Sequence, residues 1–189
     1  MNILYIHGLG GSGTGKISET LKSFGTVTSP SLKFDPEDNI QYLMGMVRTN
    51  LFDLVVGNSL GGLYARYIHT ITGIETICIN PPTQSNQFEQ FFGENIYFDT
   101  GEKFFIHEVD TEDIEHIIEN INEYERFVRA ESLHVFVSAD DEIVDPTIIR
   151  NDKYICEKNL HIITSATHRL TQDNIDEIFR ISFSSDRIV

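Results

Sequence analysis

The sequence predicts an α/β fold, a compact and mostly parallel six-stranded sheet with helices on both faces. Three observations carry that expectation. Short apolar runs alternate with stretches of helical period along most of the 189 residues, the pattern of βαβ units. Two of these runs, one at the start of the chain and one ending near residue 57, pass directly into glycine-rich turns. The last two runs are each followed by a short polar segment that leads into another helical stretch.

In chain order, Asn2-Ile3-Leu4-Tyr5-Ile6 reads as a buried strand, and 15–24 as a helix after the glycine loop. A strand near 26–28 and a helix near 37–49 follow. The apolar run 53–57 meets Gly57-Asn58-Ser59-Leu60-Gly61. Beyond it Leu63, Tyr67, Ile68 and Ile71 recur at helical spacing until Gly73, so a helix is expected over 60–72. A strand at 75–79 precedes a long interruption, 80–110, dense in Phe88, Phe91, Phe92, Tyr97, Phe98, Phe104 and Phe105. Such a stretch reads equally as a cap that lines an apolar pocket or as an excursion filling its own small core. Residues 111–129 form an amphipathic helix, with an apolar stripe of Ile114, Ile117, Ile118, Ile121, Tyr124 and Val128. Asp110, Thr111, Glu112 and Asp113 suit its start, near the positive end of the dipole. Strands at 133–138 and 159–163 and helices at 146–153 and 171–181 complete the pattern. There are no internal repeats and no low-complexity linker. The whole chain, 1–189, is expected to form a single domain, with a cap-like insertion at about 83–110.

G-x-S-x-G at a strand-to-helix junction holds a serine in a sharp turn with its hydroxyl exposed. The helix N-terminus behind it offers free N–H groups to a developing oxyanion. Ser59 is therefore the candidate nucleophile. A nucleophilic serine needs a base, and the base an orienting carboxylate; on such turns they follow in the order serine, acid, histidine. Strand 133–138 runs into Ala139-Asp140-Asp141-Glu142, and Asp141 is the first candidate for the acid, ahead of Asp140 and then Asp145. Asp145 also suits the N-cap ahead of Pro146. His168 lies in the small-residue loop after the last strand and is the best base of the seven histidines. His134 and His161 fall inside strands, His69 on the helix after the elbow, His107 in an irregular segment and His116 on a polar helix face. An acyl-transfer site also needs two N–H donors about 3 Å from the oxyanion; Leu60, after the nucleophile, supplies one, and Leu9 in the first glycine loop is the favoured second. His7 is expected to shape that loop by hydrogen bonding.

Tyr5-Ile6-His7-Gly8, Gly57-Asn58-Ser59-Leu60-Gly61-Gly62, Ile79-Asn80-Pro81, Asp141-Glu142-Ile143-Val144-Asp145 and Thr167-His168-Arg169-Leu170 recur in order along most of the chain. Together they resemble the small α/β-hydrolase esterases of the YqiA/YcfP-like family. The resemblance implies an α/β-hydrolase fold, nucleophile Ser59, acid Asp141, base His168 and esterase or thioesterase activity on acyl esters. It also implies a sheet order, by appearance, of 2-1-3-4-5-6, with the elbow at the carboxyl edge beside the topological switch. Asp140 stands where the family has glycine, and Thr167 precedes the histidine. Residues 83–110 match poorly, so substrate identity does not carry over.

Composition sets the remaining bounds. A net charge of −15 argues against nucleic acid and anionic lipid surfaces as partners. It also disfavours polyanionic leaving groups, unless Lys103, Arg66 or Arg169 supplies positive charge near the pocket mouth. No run approaches the roughly 20 apolar residues of a membrane span, and no signal peptide is evident. Cys78 and Cys156 lack metal or redox spacing and read as reduced thiols of a cytoplasmic protein. The expected partner is a small-molecule ester or thioester, with no metal and no organic cofactor. Two other classes compete. One is a hydrolase-fold binding module without catalysis. The other is a nucleotide-binding loop, because Gly10-Gly11-Ser12-Gly13-Thr14-Gly15-Lys16 spells G-x-x-x-x-G-K. Against it, Ile17 stands where a magnesium-binding hydroxyl belongs, and Asp53 begins a strand.

Overall fold

A computed structural model describes residues 1–124 and 132–183. Six strands, β1 (Asn2–Ile6), β2 (Thr26–Thr28), β3 (Leu54–Asn58), β4 (Glu75–Ile79), β7 (Leu133–Ser138) and β8 (Leu160–Ile163), form one sheet in the order β2-β1-β3-β4-β7-β8, every neighbouring pair parallel. This is the expected order of six strands. In a parallel sheet all strands end at the same edge, so the loops after β1, β3, β7 and β8 meet there.

Alternation along the strands divides the core in two. Leu4, Ile6, Val55, Cys78, Val135 and Val137 face α2 (Pro36–Thr49), α3 (Leu60–Thr72) and α4 (Asp110–Tyr124), represented by Leu43, Leu63, Ile68, Ile114 and Ile121. Ile3, Tyr5, Val56, Ile77 and Phe136 face the other way, toward α1 (Lys16–Leu21) and α6 (Gln172–Ser182), which contribute Ile17, Leu21, Ile175, Ile178 and Phe179. Asp35 caps α2 by accepting the Asp38 N–H at 3.0 Å. Gly73, at φ 69°, ends α3 and donates to His69 O at 2.7 Å. Asp145 caps α5 (Pro146–Arg150), accepting the Thr147 N–H at 2.8 Å, as its sequence context predicts.

Several boundaries differ from expectation. Helix α1 ends at Leu21 and α5 at Arg150, short of 24 and 153. Asp53 lies just before β3, where its carboxylate accepts the backbone N–H of Asn2. In the α4 stripe the four isoleucines are buried but Tyr124 is exposed; Val128 lies outside the described residues. The interruption contains structure that strand patterning did not reveal. A 3-10 helix over Ser85–Phe91 leads into an antiparallel hairpin, β5 (Gly93–Ile96) with β6 (Lys103–Ile106). The hairpin is fixed by contacts remote in sequence: Phe98 N donates to Gly10 O at 2.7 Å, and Phe34 N to the Tyr97 hydroxyl at 2.7 Å. Cys78 is buried in β4 and Cys156 is half-buried. No helix among the described residues is long and apolar enough to cross a membrane.

Candidate active site

Strand β3 delivers Ser59 into a turn that few side chains tolerate. Its backbone sits at φ 55°, ψ −125°, a conformation costing on the order of 1–3 kcal/mol and found where surrounding structure over-determines it. Two glycines permit the turn. A Cβ on Gly57 would collide with the carbonyl of Gly61, and one on Gly61 with the carbonyl of Ile6. The Ser59 N–H donates to Ile79 O at 2.8 Å, tying the elbow to the end of β4, while Ser59 O accepts from Gly62 N at 2.7 Å and starts α3. Leu60 opens that helix, so its N–H is among the first four, which have no partner one turn back.

The loop after β1 is held by His7. Leu32 N donates to His7 Nε2 at 2.9 Å, so Nε2 carries no proton, and Nδ1 donates to Gly8 O at 2.8 Å. Burial lowers the His7 pKa below its ordinary value, which favours the neutral tautomer these bonds require. The loop-shaping role expected of His7 is visible in these two bonds.

The turns after β7 and β8 are joined by backbone bonds from Ala139 N to Ile163 O, 3.0 Å, and from Asp140 N to Ala166 O, 3.1 Å. They bring Asp141 against His168. His168 Nδ1 lies 3.0 Å from Asp141 Oδ1 and 2.9 Å from Oδ2. The carboxylate is buried, and its Oδ1 also accepts from Ile143 N and Val144 N, each at 2.8 Å. Asp140 is exposed. Sequence reasoning missed Glu142, whose Oε2 accepts the backbone N–H of His168 at 3.1 Å and fixes the loop that carries it. Its place in the Asp140-Asp141-Glu142 run was the available signal. Asn80, at φ 47°, bridges the ends of β4 and β7 through Ser138, with bonds of 2.9 and 2.7 Å.

Ser59, His168 and Leu9 line one cavity of about 630 Å³, within the usual range for small-molecule sites. Asp141 stands behind His168, away from it. Phe91, Phe98, Phe104 and Ile143 form much of its apolar wall. Phe104 lines the cavity and stacks on Tyr97 at 4.4 Å, within a small aromatic core that includes Phe34.

The sequence pattern of the family described as "Uncharacterised protein family (UPF0227)" matches residues 2–181. The chain belongs to that family. UPF0227 is the YqiA/YcfP family that the five motifs resemble. No curated protein matches the chain. Among solved structures, it is similar to the esterase domain of a Rhodothermus marinus protein, at 20% identity and TM-score 0.65 over 96% of this chain and 84% of that one. It is also similar to Est1E from Butyrivibrio proteoclasticus, at 15% identity and TM-score 0.62 over 96% and 86%. A monoacylglycerol lipase from Paleococcus ferrophilus aligns at 14% identity and TM-score 0.63 over 95% and 91%. At these identities the likeness shows a fold, that of the α/β hydrolases.

Proposed function

We propose that this UPF0227 chain is a single-domain serine hydrolase of carboxylic esters or thioesters with small to medium apolar acyl groups. The observation that carries the reading is the buried Asp141 carboxylate on His168 Nδ1, with His168 lining the cavity onto which the strained Ser59 turn also opens. With Nδ1 protonated and held by Asp141, His168 keeps Nε2 free to accept a proton. His168 takes the Ser59 proton as the serine oxygen attacks the acyl carbonyl, and the N–H groups of Leu60 and Leu9 hold the oxyanion. His168 then gives that proton to the departing alkoxide or thiolate, leaving an acyl-enzyme. Water, deprotonated by His168, attacks this ester, and the acid leaves as Ser59 regains its proton. None of these steps requires a metal or organic cofactor. The named esterase and lipase neighbours support an ester substrate, and two cysteines without metal or redox spacing fit the reducing cytoplasm.

The nucleotide-loop reading loses support. Ile17, in place of the required hydroxyl, is buried in the core, and Asp53 sits at the amino end of β3, the opposite edge of the sheet from Lys16. Steady-state turnover of short nitrophenyl esters tests the hydrolase reading. Ser59→Ala is expected to lower it by at least about 10³-fold with the fold retained. A folded wild type without turnover would favour the binding-module reading.

A further inference from the structure

The cavity carries a charge signature that the hydrolase reading leaves unused. Lys16, Glu94 and Arg169 line it. Glu94 is paired with Lys103 at 2.9 Å, whereas neither Lys16 nor Arg169 makes an ion pair among the described residues. Lys22, Lys33 and Arg66, which lie outside this cavity, are each bonded to a carboxylate. Two cations free of ion pairs thus line one cavity in a chain of net charge −15.

Their placement is built by the fold. Lys16 ends the glycine loop that spells a phosphate-binding motif, and Ser12 and Thr14 of that loop line the same cavity. Arg169 follows His168 directly, with its guanidinium 6.0 Å over the Phe98 ring. The Gln172 side chain donates to Thr20 Oγ1 at 2.8 Å, tying the start of α6 to α1, so the two cation-bearing segments are neighbours. Both cations are exposed, which puts them where the cavity opens to solvent. Of the three cations that could offset the acidic surface, Arg66 is buried against Asp152 and Lys103 is paired with Glu94. Arg169 remains available.

Resting on the hydrolase reading above, we propose that the substrate's leaving group carries an oxyanion, a carboxylate or a phosphate, held at the cavity mouth by Lys16 and Arg169. The leaving-group side follows from chemistry: His168 must reach the departing oxygen or sulfur, and Arg169 is its neighbour in the chain. Arginine and lysine both bind such anions through charge-assisted hydrogen bonds, arginine in bidentate fashion.

Matched butyryl esters of hydroxybenzoate, its methyl ester and hydroxyphenyl phosphate test the proposal on the full chain. The anionic esters are expected to exceed the neutral one in kcat/KM by about tenfold, chiefly through KM. That ratio should fall toward unity in Lys16→Gln and Arg169→Gln, return in Lys16→Arg and Arg169→Lys, and shrink as salt rises. The better of the two anionic esters identifies carboxylate or phosphate as the recognised group. A ratio of one or less in the wild type, or a ratio unchanged in both glutamine variants, overturns the proposal. Labelling of Ser59 by a fluorophosphonate without turnover of the anionic esters rejects this substrate class alone. No labelling and no turnover of any ester removes the hydrolase reading itself.

Discussion

Asp140 and Asp141 are adjacent carboxylates with opposite surroundings, and that contrast makes the acid assignment testable. Asp141 is buried, accepts two backbone N–H groups and faces His168 Nδ1, whereas Asp140 is exposed. In Asp141→Asn an amide N–H can face Nδ1, favouring the wrong imidazole tautomer. Ester turnover is expected to fall by several orders of magnitude, on the order of 10⁴ by the protease precedent, with the fold nearly intact. Asp140→Asn should do far less, and equal losses in kcat/KM would contradict the assignment. His7 makes a second prediction, on pH. Its folded pKa lies below the ordinary 6.5 because burial penalises the charged ring. As pH drops through about 6.5 the unfolded chain binds a proton that folded His7 resists, so stability falls until the folded pKa is reached. His7→Gln keeps an acceptor for Leu32 N–H but does not titrate. Urea midpoints from about pH 7 to pH 5 should therefore decline less steeply in His7→Gln than in the wild type; parallel declines would show that the His7 ring is not the titrating group.

At the scale of elements, the hairpin β5–β6 and the 3-10 helix before it decide how much acyl chain the site accepts. Phe91 and Phe104 line the cavity from these elements, and apolar burial contributes roughly 0.8 kcal/mol for each CH₂. In a series of esters with unbranched acyl chains, kcat/KM should rise over the first several carbons and then level or fall once the cavity is filled. Phe104→Ala should move that plateau to longer chains. A flat profile, or a preference for acetyl alone, would mean that these aromatics serve their own core and do not hold substrate. The hairpin is also the element least legible in the sequence. Its strands are four residues each, too short for alternation to register, and the bonds that fix it reach back to Gly10 and Phe34.

Across the whole molecule, legibility follows the range of the forces involved. Strands β1, β3, β4 and β7 could be read because each is a largely buried apolar run, and the elbow because the serine and its two flanking glycines lie within five consecutive residues. Asp141 stayed ambiguous beside Asp140 because the choice depends on which carboxylate meets a loop 27 residues further on. Glu142 escaped notice for the same reason: its partner is the backbone of His168. Tyr124 broke the α4 stripe because helical period places a residue on a face without saying where the neighbouring layer stops. The cavity's two unpaired cations could not be seen against a net charge of −15, since pairing is a tertiary property. All of the functional account depends on Ser59 being a nucleophile activated by His168. Reaction with a fluorophosphonate probe, followed by mass-spectrometric mapping of the modified peptide, tests this most directly. The account predicts labelling of the wild type at Ser59, loss of labelling in Ser59→Ala, and strongly slowed labelling in His168→Ala. Unlabelled wild type in a folded state, or a label at any other residue, would contradict it.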